Sequence, residues 1–137
     1  MGRRILGVLA AATLVLTTNA VSQTPVKSKQ ASANGQLREW VAELKAPAPQ
    51  TRNAAAYEIA GLGPAAVSAV PALIAALDDP EASVRFPVTV ALGEIGPAAK
   101  AAVPRLQQMM AEEVNDEIAA SAKRALRRID PSAVPTE

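Results

Sequence analysis

The sequence predicts an all-α fold built from three stacked helical hairpins, and three observations carry that prediction. Half of its 137 residues are hydrophobic, yet Trp40, Tyr57 and Phe86 are the only aromatic ones. A core of Ala, Val, Leu and Ile suits close-packed helices better than paired sheets. A segment beginning Gly63-Pro64-Ala65-Ala66 and ending Ala69-Val70-Pro71-Ala72-Leu73 returns as Gly96-Pro97-Ala98-Ala99 to Ala102-Val103-Pro104-Arg105-Leu106, an offset of 33. Within each copy the apolar residues recur at helical spacing.

The chain opens on what reads as an export leader, residues 1–20. Arg3 and Arg4 precede an apolar run from Ile5 to Leu16, and Thr17 to Ala20 form a small polar exit. The run is shorter than the roughly 20 residues of a spanning helix. Cleavage is expected after Ala20, or else after Ser22; an uncut anchor and a hydrophobic N-terminal helix are the alternatives. Removing residues 1–20 takes two basic residues and no acid, so the formal charge passes from +1 to −1. Residues 21–35, polar and small, read as a flexible linker.

The repeat domain is expected over 36–130, in units 36–66, 67–99 and 100–130, with a tail over 131–137. The offset of 33 pairs Leu44 with Leu77, Arg52 with Arg85, Ile59 with Leu92 and Leu62 with Ile95. With one extra loop residue, Val84, Val88, Leu92 and Ile95 map onto Ile118, Ala122, Leu126 and Ile129. In the second unit, Val70, Leu73, Ile74 and Leu77 mark a first helix, and Val84, Val88, Ala91, Leu92 and Ile95 a second. The polar turn 78–83 lies between them, with Ser83 as the expected cap. Gly96 should end the second helix in a left-handed conformation, and Pro97 should prevent its continuation. Pro71 and Pro104 fall near helix starts, where a missing N–H costs little. Pro87 falls deeper, so a late start or a bend is expected there. An isolated hairpin cannot bury its stripe, which makes stacking obligatory and three units a practical minimum.

The stretch Asp79-Pro80-Glu81-Ala82-Ser83-Val84-Arg85, followed by Ala91-Leu92-Gly93-Glu94-Ile95-Gly96, resembles the turn and second helix of a HEAT repeat. The Gly-Pro-Ala-Ala…Ala-Val-Pro-x-Leu link is similar to short bacterial HEAT-like units, including those of phycobilisome lyase-type proteins. The resemblance implies a short right-handed α-solenoid whose second helices line a concave face. It also implies a ladder in which a turn Asp and a second-helix Arg bond between neighbouring repeats. Arg52, Asp79 and Arg85 match those positions. Ala46 stands where the first unit would carry its acid, and the third offers Glu112 and Ala119, so the ladder is expected to be incomplete.

Function is read from the same pattern. With no Cys and no His, disulfides, Cys/His metal sites, thiol nucleophiles and serine–histidine triads are excluded. Asp78, Asp79 and Glu81 crowd one turn, and Glu112, Glu113, Asp116 and Glu117 another, without the spacing of a calcium loop. Neither a catalytic residue, a cofactor nor a metal is expected, and the near-neutral charge speaks against nucleic acid. The outward positions of the second helices are expected to be Phe86, Thr89, Val90 and Gly93. Their equivalents are Asn53, Ala56, Tyr57 and Ala60 in the first unit, and Ala120, Lys123, Arg124 and Arg127 in the third. Asn53, Tyr57, Phe86, Thr89, Val90 and Arg124 are the expected partner-binding set. Trp40 is read as a core plug beside Val41 and Leu44. The basic residues from Lys123 to Arg128 are read as complementing the helix dipole, since Asp116 and Glu117 open the same helix. The expectation is a periplasmic or secreted, non-catalytic module that binds a protein partner and has no stable membrane insertion after cleavage. A bilin lyase-like enzyme or chaperone, and a self-associating structural repeat, are the alternatives.

Overall fold

The computed structural model describes residues 27–136, and every regular element among them is helical. The expected leader, and residues 21–26 of the expected linker, lie outside the described residues. Six α-helices follow in order: α1 (Lys27–Glu43), α2 (Pro49–Leu62), α3 (Val70–Ala76), α4 (Ala82–Ile95), α5 (Val103–Glu112) and α6 (Asp116–Ile129). Short 3₁₀ segments, Gly63–Ala69 and Gly96–Ala102, lead into α3 and α5. The chain divides at Asn34/Gly35, and the unit from Gly35 onward holds the hairpins. Residues 27–34 are already helical, so helix replaces the C-terminal part of the expected linker. Lys, Gln and Ala in that stretch are good helix formers.

The second helices α2 and α4 end on the Gly-Pro punctuation the repeat carries. Pro49 opens α2 after the extended Ala48, at a position where its missing N–H is no loss. Gly63 and Gly96 close α2 and α4 with φ of 55° and 78°. Their ψ values, −134° and −144°, depart from the expected left-handed helical region and lie where only glycine is at ease. Pro64 and Pro97 then start a 3₁₀ turn that kinks at Ala66 and Ala99. The expected unit boundaries at 66/67 and 99/100 therefore fall on kinks inside the connection, while the second helices end earlier, at the glycines.

Two capping expectations need correction. The N-cap of α4 is Glu81, and Ser83 lies inside the helix without capping it. Pro87 neither delays nor ends α4, which runs through it from Ala82 to Ile95. By contrast α6 has a side-chain cap: Asn115 Oδ1 accepts from the N–H groups of Glu117 and Ile118 at 3.0 and 3.2 Å. Asp116 and Glu117 in its first turn, with Arg127 and Arg128 in its last, complement the helix dipole as expected.

The second helices α2, α4 and α6 pack side by side, with α4 in the middle. Ile59, Leu73, Leu77, Val84, Val88, Leu92, Leu106 and Leu126 are fully buried and form one continuous core. Each contributes about 1.5–3 kcal/mol of burial, whereas the intervening alanines mainly permit close approach. Leu37 of α1 and Leu44 in the turn after it are buried, and Trp40 and Val41 pack partly against the same core, as expected of a plug. The run Pro49–Ala76 is long and apolar enough to cross a membrane by length and composition. Gly63 interrupts it, and its Ile59 and Leu73 are spent on the core. The expected tail is partly folded: Asp130 Oδ1 accepts from the Ser132 N–H at 3.1 Å, and Ala133 and Val134 pack on the core. Gln107 Nε2 donates to the Ala133 carbonyl at 2.7 Å, holding this turn over α5.

The glycines separate two effects. Gly96→Ala forces a side chain into a glycine-only conformation and should destabilise by about 1–3 kcal/mol. At Gly61, near the end of α2, an added Cβ meets nothing within 4 Å. Gly61→Ala should stabilise by about 0.5–1 kcal/mol through helix propensity. Urea unfolding midpoints of the two variants check both signs.

Candidate functional site

Along the edge formed by the intra-hairpin turns, two arginines tie the three hairpins together. Arg52 on α2 donates from Nε and Nη2 to the two carboxylate oxygens of Asp79, at 2.6 and 2.9 Å. Its Nη1 donates to the carbonyls of Ala46 and Pro47 in its own turn, at 2.9 and 3.0 Å. Arg85 on α4 repeats the pattern, with Glu113 at 2.8 and 2.9 Å and the carbonyls of Asp79 and Pro80 at 2.9 and 3.1 Å. Each carboxylate also accepts the N–H two residues on, Glu81 for Asp79 and Asn115 for Glu113.

The acceptor in the third hairpin is thus Glu113, correcting Glu112, which is exposed and accepts from Gln108 Nε2. The extra loop residue that relates Val84 to Ile118 also relates Asp79 to Glu113, and that shift was the available signal. Among the described residues both junctions between hairpins carry a rung, so the expected gap is not found there. Ala46 and Ala119 fall at the outer positions of the series.

Burial works against the Asp79 carboxylate, but the Arg52 guanidinium, the Glu81 N–H and the charge of Arg85 outweigh it. Its pKa is lowered from the ordinary value. Hydrogen bonding from Arg85 outweighs burial at Glu113 and lowers that pKa too. Asp78 is held by Arg105 Nε at 2.8 Å. No group of three potential ligands that would hold a metal ion is brought together among the described residues.

The second-helix face departs from the expected set in an instructive way. Thr89 is fully buried: its hydroxyl donates to the Phe86 carbonyl at 2.7 Å and sits 2.6 Å from the Ser121 Oγ on α6. Gly93 is buried as well, and a Cβ there would lie 3.2 Å from the Ala125 Cα. Ala56 is likewise buried. These positions face the neighbouring second helix, because side-by-side packing uses the flanks of each helix as well as its inner stripe. Ala60 and Lys123 are half-buried, and Ala120 and Arg127 exposed.

Asn53, Tyr57 and Phe86 are brought together. They line a groove of about 340 Å³ with Ser83 of α4 and with Glu117 and Ile118 of α6. Tyr57 is 50% exposed, while Phe86 is half-buried against the core. Asn53 is half-buried and its amide is engaged: Nδ2 donates to the Ser83 carbonyl, the group left without its helical partner by Pro87. Val90 and Arg124 belong to a second, smaller notch of about 110 Å³ between α4 and α6, with Thr89, Gly93, Glu94 and Arg128. Arg128 bridges Glu94 through both oxygens, at 2.6 and 3.0 Å. Arg124 is exposed beside that pair. The expected single patch is therefore two depressions along α4. Helical periodicity gave no signal for Glu117, Asn115 and Ser121, because their placement depends on the lateral contact between helices.

Residues 37–127 match the family model for HEAT repeats. No curated protein and no solved structure matches the chain.

Asn53→Ala should cost about 1 kcal/mol in the native chain by stranding the Ser83 carbonyl. In a Pro87→Ala background, where the helix supplies its own donor, the same substitution should cost markedly less; a denaturation double-mutant cycle reads the difference. Because the Asp79 and Glu113 values are lowered, their stabilisation is full above about pH 4.5 and is lost as pH falls through the folded-state values. Urea midpoints from about pH 6 down to about pH 3 should fall, and more shallowly in Asp79→Asn/Glu113→Gln.

Proposed function

The chain belongs to the HEAT-repeat family, and from that premise we propose that it is an exported, non-catalytic module that binds a protein partner through its second-helix face. HEAT repeats serve generally as interaction scaffolds, which supports the coarse part of this reading. The observation that carries the finer part is the groove shared by all three second helices, with Tyr57 half exposed at its wall and Phe86 behind it. An aromatic ring held on a rigid helix loses little entropy when a partner covers it.

Export rests on Arg3 and Arg4, the apolar run to Leu16 and the small residues before Val21. On that reading the working protein acts in the periplasm or outside the cell.

A photo-crosslinking residue at Tyr57 should trap the partner in the exported fraction, whereas the same residue at Ala75, exposed on α3, should not. Equal trapping at both positions contradicts the assignment of the face. The recovered protein should begin at Val21, as read by mass spectrometry.

A further inference from the structure

The two depressions on the second-helix face differ in charge, and that difference specifies what fits them. The groove is walled by Tyr57 and Phe86, and its one formal charge is the carboxylate of Glu117. The notch holds Glu94, Arg124 and Arg128, a formal charge of +1. Arg128 and Glu94 neutralise each other through their paired hydrogen bonds. The excess charge is that of Arg124, exposed at the notch. At Ser121 the hydroxyl proton is already committed: Thr89 donates to the Phe86 carbonyl, so Ser121 must donate to Thr89. The notch thus offers a guanidinium at its rim and no free hydroxyl donor at its floor.

Distance links the two. On α4 the groove is lined around Ser83 and Phe86, and the notch around Val90 and Gly93. Seven residues of helix set the notch about 10 Å further along the α4 axis than the groove. A polyproline II segment, with three residues per turn and about 3.1 Å per residue, presents positions i and i+3 on one side roughly 9 Å apart.

We propose that the second-helix face recognises an extended peptide segment carrying an apolar side chain and a carboxylate three positions apart. The apolar side chain fills the Tyr57/Phe86 groove and the carboxylate pairs with Arg124. Glu117 enforces the orientation, because an acid at the groove end meets like charge. This inference rests on the proposed binding role of the face and adds the chemistry of the partner.

A random peptide library displayed on phage and selected against the immobilised full chain tests it. The expected result is enrichment of an apolar and an acidic residue at a spacing of three. Synthetic peptides of that pattern should lose about tenfold in affinity to Arg124→Glu. Arg124 is exposed, so unchanged helical circular dichroism should accompany that loss. Tyr57→Ala should weaken the same peptides. Enriched peptides that need Tyr57 but show no acidic preference, or that bind Arg124→Glu equally, overturn the inference and leave the binding face standing. Enrichment indifferent to both residues, or none above a bare surface, overturns both.

Discussion

No hairpin in this chain can hide its aliphatic stripe alone, and the contact between successive second helices is the constraint on which everything else depends. α4 lies between α2 and α6 and has both flanks covered, so even Thr89 and Gly93, polar or bare in the sequence, are buried there. Close approach requires small residues at the crossing, and Gly93 against Ala125 supplies it. The same approach creates the depressions on the outer face, whose floors are the flanks of packed helices. Binding surface and core are therefore two sides of one contact.

Apolar stripes alone leave neighbouring hairpins free to slide, and the polar edge removes that freedom. Each rung joins an arginine to both oxygens of a carboxylate in the next hairpin while also holding the carbonyls of its own turn. Such forked pairs demand a fixed position and orientation, so they set register more than they add energy. Alanine stands at both outer positions, 46 and 119. Asn53 works in the same spirit, donating to a carbonyl that Pro87 leaves open across the first junction.

What was legible in the sequence follows from this division. Repetition, helical spacing and the Gly-Pro punctuation reveal the hairpins, their order and the buried positions Ile59, Leu92 and Leu126, because those are properties of each helix by itself. Thr89 was misread because its burial comes from a neighbour that helical periodicity does not represent. Ser83 resembled a cap by residue type, yet the helix begins at Ala82 and its carbonyl, rather than its hydroxyl, holds the notable contact. Glu113 was accessible in principle through the one-residue shift of the third unit. The division of the expected patch into groove and notch was not, since it depends on how two helices cross.

α4 is the keystone of the packing, and amide hydrogen exchange probes it residue by residue. The slowest exchange should fall in the middle of α4, around Val88 to Leu92, with protection declining through α2 and α6 toward α1 and the 131–133 turn. Fastest exchange in α4, with α1 or the 131–133 turn outlasting it, would mean that the outer elements are stable without the central helix, contrary to this packing.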